Sequence, residues 1–118
     1  MKKPFVLRTA TLTAALIAGL LAGCGGDNPE TLIASGKEFL AKKDNKAAVI
    51  QFKNALQQNP NLGEARFLLG KALLEGEDTR GAEVELRKAL DLNYAPELTV
   101  PVLVNAMLAQ GQAKKVID

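Results

Sequence analysis

Apolar residues along most of this chain recur at steps of three and four, the spacing of helices that bury one face. Val49, Phe52 and Leu56 keep that step, and Leu86 and Leu90 carry it on, with Val84 nearby. Taken with the residues that flank each run, the pattern predicts helices over 29–42, 45–58, 63–76, 79–92 and 97–110, and the start of a sixth at 113. Asn28 before Pro29 pairs a good cap with a good first helical residue. Asp44 and Asp78 stand where caps of the second and fourth helices are needed, and Asn61 with Glu64 resembles a capping box. Pro101 sits awkwardly in the fifth helix. It either kinks the first turn or delays the start to about residue 100, with Thr99 as the cap.

One stretch has no polar stripe. From Thr9 to Ala22 every residue is apolar or small, and Lys2, Lys3 and Arg8 precede it. A basic start, an apolar run and then small residues make the layout of a secretory leader. The run is shorter than the roughly 20 residues a membrane-spanning helix needs. It ends in Leu21-Ala22-Gly23-Cys24, which resembles the bacterial lipobox. That resemblance implies cleavage before Cys24 and a diacylglycerol on its sulfur. The residue types suit this, because Ala22 and Gly23 let a peptidase close on the backbone and a thiol forms a stable thioether. Each acyl methylene adds about 0.8 kcal/mol of membrane affinity. Residues 1–23 are therefore expected as signal peptide, and 24–28 as a short Gly- and Pro-containing tether.

Beyond the tether the chain repeats itself. Residues 29–62 laid over 63–96 match at nine positions: Glu30/Glu64, Gly36/Gly70, Lys37/Lys71, Leu40/Leu74, Asp44/Asp78, Ala48/Ala82, Ala55/Ala89, Leu56/Leu90 and Asn59/Asn93. The shift is 34, and a weaker third copy covers 97–118. A 34-residue period is that of the tetratricopeptide repeat (TPR). Gly36, Phe39, Ala48, Phe52, Ala55 and Pro60 stand at that family's signature positions in the first copy. Leu69, Gly70, Leu73, Ala82, Leu86 and Ala89 stand there in the second, with Tyr94 in place of the proline. Leu32 and Arg66 replace the family tryptophan. The resemblance implies an all-α helix-turn-helix solenoid, a right-handed superhelix, in which small residues let paired helices touch and stacking buries what one copy leaves open.

The third copy would need to reach about residue 130. The chain is accordingly expected to be the N-terminal part of a longer array, with dimerisation through this end as the alternative. The wording of the copies, from Asp44-Asn45-Lys46-Ala47-Ala48 to Gly81-Ala82-Glu83-Val84-Glu85, is similar to the TPR-repeat lipoproteins of the PEP-CTERM/exosortase system. That implies a membrane-anchored scaffold in export of exopolysaccharide or sorted proteins, in a Gram-negative envelope and facing the periplasm. Cys24 is followed by Gly25, not Asp, which resembles outer-membrane rather than inner-membrane sorting. A pilotin-like assembly factor for a secretin or pilus is the alternative.

In TPR arrays the first helix of each repeat lines the binding groove. By that resemblance the contacts with partner proteins or peptides are Ile33, Lys37 and Leu40, then Phe67, Lys71 and Leu74. Lys37 and Lys71, one period apart, could grip a carboxylate; the plainer reading pairs them with Glu30, Glu38 or Glu64.

Composition removes other classes. Of 15 basic residues three lie in the leader, leaving 12 against 13 acids and no footprint for nucleic acid. With no histidine and one cysteine, neither an internal disulfide nor a zinc set can be built, so no metal and no cofactor are expected. Catalysis is not expected either. Glu83 and Glu85 diverge on their helix, and Ser35 has no identifiable base.

Overall fold

The computed structural model describes residues 26–111, and among these it is all-helical with no strand. The helices are α1 (Pro29–Ala41), α2 (Asn45–Gln58), α3 (Gly63–Glu75), α4 (Thr79–Asp91) and α5 (Pro96–Ala109). The signal peptide expected over 1–23, Cys24 and the sixth helix expected from 113 lie outside the described residues. No helix among those described is long and apolar enough to cross a membrane.

The turns are tight because single residues serve two helices. Asp44 donates its N–H to Phe39 O, closing the end of α1, while its carboxylate accepts from Ala47 N at the start of α2. Asp78 does the same between Leu73 O and Gly81 N. Each turn requires one residue in the left-handed region just before the aspartate, the usual geometry of a Schellman ending. Lys43 (φ 61°) and Glu77 (φ 68°) supply it, and Gly111 (φ 72°) sits one period further on. Asn28 caps α1 through Thr31 N at 2.8 Å, with Pro29 in the first turn.

Two starts differ from expectation. α3 has no side-chain cap, since Leu62 precedes it and Asn59, not Asn61, makes the local bond, accepting from Asn61 N. α5 begins at Pro96, behind Ala95 in a left-handed conformation (φ 33°). Thr99 is no cap. It is fully buried, and its hydroxyl donates to Tyr94 O at 2.9 Å, tying the helix to the preceding turn. Pro101 lies inside α5 and removes the bond that Glu97 O would accept; both residues are exposed, so water can reach that carbonyl.

Helices consecutive in sequence pack together, and α3 also meets α1 and α5. Gln58 at the end of α2 donates to Asp27 O beside α1, so the first pair is antiparallel. At its centre Gly36 faces Phe52, and a β-carbon on Gly36 would overlap the Phe52 ring. The α3–α4 pair repeats this with Gly70 against Leu86, where an added β-carbon would come within 2.6 Å of Leu86 Cγ. Phe52, Leu86, Ala48, Ala82, Ala55 and Ala89 are wholly buried, and Phe39 and Leu73 pack half-buried beside them. One core joins α1, α2 and α3, a second joins α4 and α5, and Leu73 of α3 borders both. The architecture is compatible with an all-α helical repeat.

Candidate functional site

The row of first-helix positions singled out by sequence divides in two. Ile33 is 8 % exposed and belongs to the core with Leu32 and Phe52, so it leaves the set of accessible contacts. That core is built by α1, α2 and α3 together. Leu40 is half-buried against the same core, and Phe67 and Leu74 lie half-buried against the second. Lys37 and Lys71 are exposed.

α1 and α3 bring Lys37 to Glu64, with Nζ 2.5 Å from Oε1. Both ends are well exposed, so the pair contributes about 0–1 kcal/mol. Lys71, its counterpart on α3, forms no ion pair with a described residue. Beside them Tyr94 stacks obliquely on Phe67, with ring centroids 5.7 Å apart. Burial pushes the Tyr94 phenol above its ordinary pKa, and the carboxylates of Glu64 and Glu97 add to this against the pull of Lys37. Among the described residues the surface therefore offers Lys71 as a cation with no ion-pair partner, a neutral aromatic pair and flanking acids. It can hold an apolar side chain on Phe67 and Leu74 and a carboxylate on Lys71. No proton-transfer chemistry follows from that set.

A second cluster was not anticipated from sequence. Arg66 reaches across to α4, with Nη1 2.6 Å from Glu85 Oε2, and its Nε and Nη2 donate to Pro60 O. Lys88 Nζ binds the other Glu85 oxygen at 2.9 Å. Burial alone would raise the Glu85 pKa. The hydrogen bonds from Lys88 and Arg66 and their positive charges outweigh it and hold the carboxyl below its ordinary value. The signal was present: Arg66 occupies the position of buried Leu32, and Glu85 that of Gln51, so opposite charges enter together at two neighbouring places. The cluster ties three segments of the second helix pair and is structural.

Glu83 and Glu85 do point in different directions: Glu83 accepts from Arg87 and from Gln110 just beyond α5, and Glu85 from Arg66 of α3. Against known proteins, the chain matches no protein-family model and no curated protein.

Proposed function

We propose that this chain is a lipid-anchored TPR scaffold that binds partner proteins or peptides through its first-helix row and catalyses no reaction. One observation carries the reading. The same helix pair, closed by a glycine against a large apolar residue, occurs twice at a 34-residue step, at Gly36/Phe52 and Gly70/Leu86. A right-handed TPR superhelix is the stacking this period implies. Residues 29–62 and 63–96 are then complete repeats, with a third from 97.

The anchor rests on the leader and Cys24, which becomes the acylated N-terminus after removal of 1–23. This puts the scaffold on the periplasmic side of a Gram-negative envelope, at the outer membrane, in the export of exopolysaccharide or PEP-CTERM proteins. Lys71, Phe67 and Leu74 are the contacts the exposed row offers to a partner.

Metabolic labelling with a palmitate analogue tests the anchor: wild type is labelled and Cys24→Ala is not. Equal labelling of both removes the lipoprotein reading. A strain lacking the protein is expected to lose polysaccharide or sorted-protein export and to regain it with wild type but not with Cys24→Ala. Intact export with failed secretin or pilus assembly would point to the assembly-factor role instead.

A further inference from the structure

Every residue of α2 that is exposed ahead of its last position falls on one stripe: Lys46, Ile50, Lys53 and Gln57. They are spaced four, three and four apart, so they stand one above another on the helix. Ile50 is 57 % exposed between the two lysines. Neither lysine has an ion-pair partner among the described residues. The stripe holds no acid. The stretch 42–58 that carries it has four lysines against Asp44 alone, whose carboxylate caps α2.

The equivalent stretch one period on, 76–92, has three cations against five acids. Arg80, Val84 and Arg87 keep the basic-apolar-basic order, but Asp91 stands in place of Gln57 and Arg87 is bound to Glu83 at 2.8 Å. An unpaired cationic stripe with an apolar residue at its centre is thus a property of the first helix pair and not of the repeat.

The first pair is also the one joined to Cys24. Gln58 at the end of α2 donates to Asp27 O at 2.8 Å. Asp27 is three residues from Cys24, a reach of about 10 Å at full extension. The inference that follows rests on the acylation of Cys24 proposed above. An anchor there holds the first pair against the bilayer, and charge decides which side it presents. Standing on the anchored end would press Asp27 and Glu30, both exposed, toward lipid phosphates. Lying on α2 turns Lys46 and Lys53 to them.

We propose that the α2 stripe rests on an anionic phospholipid surface, with the Lys46 and Lys53 ammonium groups on the phosphates and Ile50 set among the headgroups. Lysine suits this place, because its stem covers apolar surface while its charge reaches the phosphate layer. A basic segment held beside a membrane is drawn to anionic lipid, and an exposed apolar side chain between the charges adds burial that a zwitterionic surface does not supply the charge to recruit.

The acylated protein in vesicles tests this, with a nitroxide on Ile50→Cys. Acylation occupies the Cys24 sulfur, so the label goes to position 50. In vesicles of phosphatidylcholine with phosphatidylglycerol, the label is expected to collide less often with a water-soluble nickel complex than in phosphatidylcholine alone. The same label on Leu108→Cys, an exposed position of α5, is expected to collide equally in both. Adding Lys46→Gln/Lys53→Gln is expected to lower the docked-to-free ratio about 30-fold, at about 1 kcal/mol for each lysine. Position 50 then returns to its phosphatidylcholine value. Both lysines are exposed, so the helix content by circular dichroism is expected to stay unchanged. Equal collision at position 50 in the two kinds of vesicle, on protein that floats with them, overturns the docking and leaves the anchor standing. Protection that persists in the lysine variant overturns it as well. Protein that does not float with vesicles removes the anchor, and the docking with it.

Discussion

The α1–α2 pair is held by apolar matter and the α3–α4 pair by charge as well. In the first, Leu32 is buried near Gly36 and Phe52, and the one ion pair of α1 with a described residue runs outward to Glu64 on α3. In the second, the smaller Leu86 replaces Phe52, and three ion pairs surround it: Arg66–Glu85, Arg87–Glu83 and Lys88–Glu85. The comparison teaches that the glycine-centred contact fixes the helix pair, while the residues around it are free to change character. Hydrophobic closure is insensitive to acid. The charged closure is not.

Removing the centre of either pair has the largest effect expected. Phe52→Ala should cost about 3–5 kcal/mol, because a fully buried aromatic leaves a cavity that its neighbours fill only in part. Equilibrium urea denaturation measures it. A loss below that of Leu86→Ala would break the view that the first pair depends more heavily on its core.

The charged closure comes next. Arg66 and Glu85 side chains are 16 % and 13 % exposed, so Glu85→Ala leaves a guanidinium largely buried without its main partner. A loss of about 2 kcal/mol is expected, below the roughly 3–5 kcal/mol of a fully buried pair. The double variant Arg66→Leu/Glu85→Gln instead installs the residues of the first pair, Leu32 and Gln51. It should fold with stability near that of wild type.

Acid sharpens the same contrast. Glu85 titrates near its ordinary 4.5 when unfolded and lower when folded. Its contribution is therefore complete above 4.5 and is lost as pH falls through the folded value. Thermal melts between neutral and acid pH should show wild type losing more stability than the Arg66→Leu/Glu85→Gln variant. Parallel losses would mean that Glu85 does not carry the acid sensitivity.

Helix bounds and both turn aspartates were legible in sequence because caps and period are local chemistry. Observed bounds fall within one residue of those expected. Of the two alternatives for Pro101, the delayed start with Thr99 as cap fails, since a cap and a buried hydroxyl bonding a preceding carbonyl look alike until the neighbouring turn is placed. Asn61 was misread because Asn59 competes for the same backbone N–H. Ile33 shows a further limit: a groove position implied by resemblance does not say how far neighbouring helices cover it, and here they leave it buried.

The smallest effect concerns the turns. Glu77 holds φ 68°, a region that costs residues with a side chain roughly 1–2 kcal/mol. Glu77→Gly should gain up to about 1 kcal/mol after the extra freedom of glycine in the unfolded chain is counted. A loss in the thermal midpoint would show that Glu77 makes a compensating contact.

The most direct measurement of the shared build is urea denaturation of Gly36→Ala and Gly70→Ala, each in the full chain. Both introduced methyl groups meet a fully buried side chain, Phe52 or Leu86. Each variant is expected to lose about 1–3 kcal/mol, the usual cost of overpacking. If either alanine were accepted with no loss of stability, the two helix pairs would not be copies of one packing solution.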